Sequence, residues 1–468
     1  MTQAVDSLTQ RIADFVVGTT FSSIDQEVMH LGKKSILDAL GPAIAGSRTR
    51  SCRILQSYLS NVGIVMEGAG VFGTPLRMPA RFAALANGTA MHADDFDDTM
   101  QADTGKFQGI HPTAPVFSAV LAQAEMLSRP VSGSEFLTAY HVGVEVACKL
   151  FDATAPQHIL GGFHSTGTCG LLGAAAGVCR LMEADGSNIR MTLGIAASQA
   201  AGLQENFGTM TKPFHAGRSA EGGVMAADLA RAGFTASPII LEAKRGFFSA
   251  YGGGYEQERI DGRLGAPWSF VDRGIWLKPW PTGSLGHPAM TLFLDLVRRN
   301  DIQAENVERI VVRTSENIHR TLLHHRPKTE LEAKFSLEFC IASIVLNRAL
   351  GLGDFTNEFV GRSEIQRLVQ LIEYQTFTEA EARAEGYTIV TTLGDIELRD
   401  GRLLSGRRDY GKGSKADPMS DDEVEAKFLD CASFAGFPVS AADEIVRIMD
   451  NLETLDDVKV LGAALLAN

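Results

Sequence analysis

Residues 170–181 read GLLGAAAGVCRL, and this stretch decides the fold class. Glycine and alanine recur at helical spacing, where small side chains let neighbouring helix backbones approach closely. Residues 193–203 and 222–232 carry the same small-residue pattern. Working outward, Ser23 and Gln26 form a capping-box signature before Ile36, Leu37, Leu40 and Ile44, which share one face of a helix ending near Gly46. Residues 115–126 and 134–150 repeat the theme, each opening with a start signal. To about Arg259 the chain therefore reads as one tightly packed helical core.

The texture changes after Trp268. Residues 307–314 (VERIVVRT) alternate like a strand, and residues 387–392 and 395–404 follow, the latter containing the hairpin turn Asp400-Gly401. Helical pattern returns at residues 420–435, where Ser420 and Glu423 make another capping box, and at residues 441–452. The expected fold is mainly α with α+β. A large all-helical domain is formed by both chain ends, 1–272 and 411–468, and a smaller α+β domain, 273–410, is inserted between them.

The 468 residues are 45% hydrophobic and 21% charged, which excludes a disordered chain. Lys and Arg number 43 against 56 Asp and Glu, a net charge of −13 whose field repels nucleic acid and anionic lipid. The opening MTQAVDSLTQ lacks the basic and apolar regions of a secretory signal, and no apolar run approaches the roughly 20 residues that cross a bilayer. The expectation is a cytoplasmic protein with no membrane and no nucleic-acid partner. Six cysteines form no CxxC pair and read as reduced, mostly buried thiols.

Several cofactor motifs fail on inspection. Residues 406–413 (GRRDYGKG) nearly spell a phosphate-binding loop, but Gly413 stands where the hydroxyl for magnesium belongs. No GxGxxG lies between a strand and a helix, so a dinucleotide site is not supported. Asp94, Asp95, Asp97 and Asp98 resemble a calcium loop but lack its glycine and late glutamate. No metal and no cofactor are expected, with a weakly held ion in an Asp and His cluster near Asp95 left open.

Chemistry concentrates instead in five segments where ionisable residues stand beside glycine or proline. They are HADDFDDT (92–99), HPTAP (111–115), GGFHSTGT (161–168), MTKPFHAGRSAEGG (210–223) and KPWPTGSLGHPA (278–289). Taken singly, a histidine is usually a satisfied structural residue and an Asp run a solvated cap.

In this order the five segments resemble the MmgE/PrpD family, over a span from LDALGPAIAG at residues 37–46 to SDDEVEAKF at residues 420–428. The family includes 2-methylcitrate dehydratase, cis-aconitate decarboxylase and iminodisuccinate epimerase. The resemblance implies a homodimer, an inserted lid domain, and cofactor-free catalysis on a small di- or tricarboxylate in a cleft between the domains. The family's catalytic positions fall on Asp95, Thr99, His111, His164, Lys212 and Lys278. His287 matches the histidine closing the last motif, and His215 and Arg218 join it and Lys278 as expected substrate-binding residues.

The residue types suit that chemistry. Lysine ammonium groups hold carboxylates and acidify the adjacent carbon-bound proton. One of His111 and His164 would remove that proton and the other return one. Asp95 would orient a histidine and Thr99 would hydrogen-bond substrate or base, with supporting roles equally open to both.

Two departures bear on the reaction. The decarboxylase-like pattern carries a tyrosine in the segment matching KFSLEF (334–339), whereas this chain has Phe339, so a hydroxyl acid is lost. Many members have histidine after Asp-Asp-Thr, whereas Met100 follows here, and residues 101–109 would form a different entrance loop. Losing an acid hurts epimerisation least, so the expected reaction is epimerisation of iminodisuccinate. The alternatives are dehydration, decarboxylation, or a non-catalytic carboxylate-binding protein, with Tyr251, Tyr255 or a histidine able to replace the missing acid.

Overall fold

The computed structural model describes residues 7–64, 67–101, 109–154 and 156–467. The fold is mainly α with a smaller α+β part. The chain divides into two compact units, one of residues 1–276 with 420–468, the other of residues 277–419. No described helix is long and apolar enough to cross a membrane, and all six cysteines are free and buried.

The first unit is a stack of helices with one short ladder, Ala69–Gly70 against Arg77–Met78. Its centre is Ser165–Leu181, which packs on Gly133–Ala153, Thr113–Met126 and Thr211–Arg231. The small residues are placed where backbones cross. A Cβ added at Gly173 would lie 2.5 Å from both the Ala147 Cβ and the Gly143 carbonyl oxygen, so any larger residue would push the helices apart. The central helix can thus be buried almost throughout.

The C-terminal segment returns to this unit. Ser420 caps Asp421–Phe434 and Glu423 answers it, completing the expected capping box. At the other end of the chain the expectation fails: Asp25, not Ser23, precedes Gln26–Gly46, and Ser23 instead closes a short turn with Thr20. The 193–203 pattern also shortens, because the helix Gly186–Ala197 ends before Gly202.

The second unit is built on a four-stranded sheet in the order Ile372–Phe377, Val307–Ser315, Thr392–Leu398, Leu403–Arg408. The last two strands form the expected hairpin, and Gly401 supplies the positive φ that its turn requires. Residues 388–391 form a turn before the strand begins at Thr392. Ile372–Phe377 pairs parallel with Val307–Ser315, an element missing from the sequence reading. His287–Arg299 and Leu337–Asn347 cover the sheet with an apolar core that includes Phe293, Phe339 and Ile341.

Residues 406–413 are the exit of the hairpin. Gly411 leaves no room for a Cβ beside His287, and Gly413, at φ +88°, packs on the Leu277 carbonyl, which a Cβ would meet at 1.8 Å. These glycines fit the chain around the start of the unit instead of cradling a phosphate.

Candidate active site

In the first unit three helix N-termini meet. His164 is the N-cap of Ser165–Leu181, Lys212 and His215 lie in the opening turns of Thr211–Arg231, and His111 stands two residues before Thr113–Met126. The positive ends of these helix dipoles favour an anion here and disfavour protonated imidazole.

The HADDFDDT segment wraps these ends. After Ala80–Met91, Asp95 takes a left-handed backbone conformation (φ +52°), uncommon outside glycine but tolerated by aspartate. That turn sends successive carboxylates in different directions. Asp95 Oδ1 lies 2.7 Å from Lys212 Nζ and 3.7 Å from His111 Nε2. Asp97 Oδ1 lies 2.8 Å from His92 Nδ1 and 3.5 Å from His111 Nδ1. Asp98 accepts from the Thr113 amide and hydroxyl, and Thr113 also meets the Tyr140 hydroxyl at 2.7 Å. Burial holds the Asp98 carboxyl well above the usual range, partly offset by the Thr113 bonds.

The imidazoles form a continuous group. The rings of His92 and His111 are 4.4 Å apart, those of His92 and His164 are 5.8 Å apart and stacked, and His164 Nδ1 meets His215 Nδ1 at 3.1 Å. Burial, then the nearby His92, Lys212 and His215, push His164 well below its ordinary value. Burial, then His92 and Lys212, bring His215 to about 4. Both are therefore neutral bases at neutral pH, with one Nδ1–H donating to the other's lone pair. Gly202 makes their approach possible: at φ +136° a Cβ there would meet the His215 ring at 3.2 Å and His164 Cβ at 3.5 Å. Phe207 closes the group, edge-on to His164 at 4.9 Å and 5.3 Å from Lys212 Nζ.

Asp95, His111, His164, Lys212 and His215 are thus brought together by the fold. Thr99 is buried and held by backbone bonds to Trp276. Arg218 is not brought to the group: it is exposed and pairs with Glu221, which also binds Arg81. Lys278 and His287 belong to the other unit, both buried, with His287 edge-on to Trp280 at 5.3 Å. Of the expected entrance loop, residues 102–108 lie outside the described residues.

The sequence reading gave no catalytic or binding role to His92 and Asp97, which occupy the middle of the cluster. Both stand in the quoted segment, and an aspartate five residues after a histidine was the available signal. His92, Asp95, Asp97 and His111 bring ligand-capable atoms within 4.8 Å of one another, so these are the described residues that would hold an ion. In this structure the cation against Asp95 is the Lys212 ammonium. Of the substitute acids, Tyr251 donates to the Ala200 carbonyl at 2.5 Å and Tyr255 stacks on Phe248.

Behind the cluster Lys427 binds Asp38 Oδ1 and the Phe96 carbonyl, each at 2.7 Å, with its ammonium 4.0 Å from the centre of the Phe96 ring. Phe96 lies between Asp95 and Asp97, so the returning C-terminal helix braces the segment that carries both.

The arrangement is that of an acid–base site: neutral imidazoles beside a lysine ammonium, in a buried setting where three helix ends attract a carboxylate. The chain belongs to the MmgE/PrpD family. Residues 10–260 match the MmgE/PrpD N-terminal domain and residues 280–454 the MmgE/PrpD C-terminal domain. It is similar to the cis-aconitate decarboxylase of Homo sapiens, 27% identical over 98% of this chain and 94% of that one. The Mus musculus cis-aconitate decarboxylase is 26% identical, over 97% and 92%. That of Aspergillus terreus is 24% identical, over 98% and 96%.

Proposed function

We propose that the protein is a cofactor-independent lyase acting on a small tricarboxylate, with decarboxylation of cis-aconitate as the leading reaction and dehydration of a 2-methylcitrate-like acid beside it. The observation that supports it is the buried group of His111, His164, His215, Lys212 and Asp95 in a chain similar end to end to decarboxylases. This shifts the preference away from epimerisation.

In this reading Lys212 exchanges Asp95 for a substrate carboxylate. As CO2 leaves, its bonding electron pair enters a new double bond and the far alkene carbon takes a proton from an imidazolium. His164, neutral at rest, is the residue suited to receive a proton between turnovers, and His92, fixed on Asp97, keeps His111 in place. Lys278 and His287 are proposed to bind a further carboxylate.

Phe339 supports a second reading. It is fully buried among Phe355 and Phe359 and offers no hydroxyl acid, which leaves epimerisation of iminodisuccinate the least impaired of the family's reactions. Proton NMR in D2O with cis-aconitate, 2-methylcitrate and iminodisuccinate stereoisomers separates these outcomes. Itaconate or a new olefin supports the lyase. Deuterium scrambling at the α carbon of iminodisuccinate alone replaces it with the epimerase, and inertness toward all three leaves a carboxylate-binding protein. The same reading includes a homodimer, which light scattering checks; a monomer mass ends that part.

A further inference from the structure

The 277–419 unit contains a separate pocket of about 790 Å³, formed by Glu308, Arg309, His319, His325, Arg326, Glu338 and residues 370–374 with Glu397. It shares no residue with the imidazole group. We infer that this pocket binds a small alkylammonium ion, its N–H donors seated on Glu338 and its carbon chain on the ring wall of His319 and Tyr374.

Glu338 carries the argument. It opens the helix Leu337–Asn347, and its side chain is only 3% exposed. One carboxylate oxygen takes His325 Nδ1 at 2.9 Å, while the other, Oε2, is buried with no hydrogen-bond partner. Buried carboxylate oxygens are rarely left so, and the missing partner is a donor.

The surroundings select the kind of donor. Four glutamates and two arginines line the pocket, and Arg309 already pairs with Glu373. An anion would meet this acidic excess. A metal fits poorly too: among the described residues, the one His/Asp group close enough to hold an ion is that at His92. An organic cation suits both the charge and the walls. His319 stacks on His325 at 4.5 Å and stands edge-on to Tyr374 at 4.9 Å, while Leu371 and Ile372 add apolar surface. Glu397, exposed at the rim, gives a second charge within the same lining, so a diamine should bind more tightly than a monoamine.

Calorimetry on the full chain in an amine-free buffer tests this with butylamine, 1,4-diaminobutane and succinate. Saturable binding of both amines, with the diamine tighter and succinate inert, is expected. Glu338→Gln should weaken both amines by about tenfold or more, with an unchanged circular-dichroism spectrum as the folding control. Glu397→Gln should weaken the diamine alone, and it decides the matter where the first variant does not fold. No saturable amine binding, equal binding to both variants and the unaltered chain, or succinate competing with the amines overturns the proposal.

Discussion

Two buried lysine–aspartate pairs stand on either side of one loop. Lys212 meets Asp95 at 2.7 Å and Lys427 meets Asp38 at 2.7 Å, and all four side chains are almost fully covered. The difference lies in the other neighbours. Lys427 is saturated by a carboxylate, a carbonyl and a ring face. Asp95 is shared between Lys212 and His111, and Lys212 is among the charges that depress His164 and His215. The same ion pair is a brace where its partners are fixed, and a source of reactivity where they are titratable.

Breaking the reactive side should give the largest effect. His164→Ala is expected to lower kcat/KM by about 10²–10⁴ while leaving the melting temperature near that of the unaltered protein, and Lys212→Ala to lower it as far with some loss of stability, since Asp95 then lacks its ammonium. Steady-state kinetics and calorimetry together check it, and full activity in either variant would remove that residue from the chemistry. Breaking the brace should give the reverse. Lys427→Met leaves Asp38 buried without its ammonium and should cost about 3–5 kcal/mol of stability in denaturant titrations. Activity would fall only as far as the Asp95 to Asp97 turn loosens.

The contrast also has a pH signature. Burial brings His158 and His215 to about 4 and His164 well below its usual value, so all three fold in the neutral form. His158 shows how: its Nδ1 faces the Tyr251 carbonyl and its Nε2 the Thr168 hydroxyl, a pattern met by one proton on the ring. A folded value below the unfolded one stabilises fully above about 6.5 and is lost as pH falls toward 4. For a histidine such as His158 the loss is on the order of 3 kcal/mol. The limb of kcat/KM set by His164 should accordingly lie well below 6.5, an alkaline limb where His164 donates a proton, as in decarboxylation, and an acid limb where it accepts one, as in epimerisation. Lys212→Met, by removing a nearby cation, should move the limb upward in whatever activity remains. A limb at 6.5 that ignores the substitution would contradict the electrostatic coupling of the cluster.

Much of this was legible in the sequence where the signal is local. The Ser420 and Glu423 box, the Asp400-Gly401 hairpin and the small-residue core helix each depend on neighbours a few residues away. Ile372–Phe377 was not, because it pairs parallel with a strand some 60 residues earlier and its register is set by that partner. Arg218 was grouped with Lys212 and His215 by motif. Six residues along a helix carry it about 9 Å further down the axis than Lys212, to an exposed site beside Glu221. The pairing of His92 had only its spacing to Asp97 as a signal: the left-handed turn at Asp95 folds Asp97 back onto it, and no helical or strand period describes that contact.

The smallest change is also the most discriminating, because it removes no charge and no proton. Gly202→Ala puts a methyl group against the His215 ring at a backbone φ of +136°, where only glycine is at ease. The strain is expected to cost roughly 1–3 kcal/mol of stability. The variant also forces His164 and His215 apart from their 3.1 Å contact. If the two imidazoles share a proton, activity should fall more than the lost stability explains and the His164 limb should rise, since His164 loses one of the neighbours that depress it. Lys427→Met should leave that limb in place at any temperature where the protein is folded. Equal limbs in both variants would mean that the His164 and His215 contact is packing alone, and that the reactive side of the loop is confined to His92, His111 and Lys212.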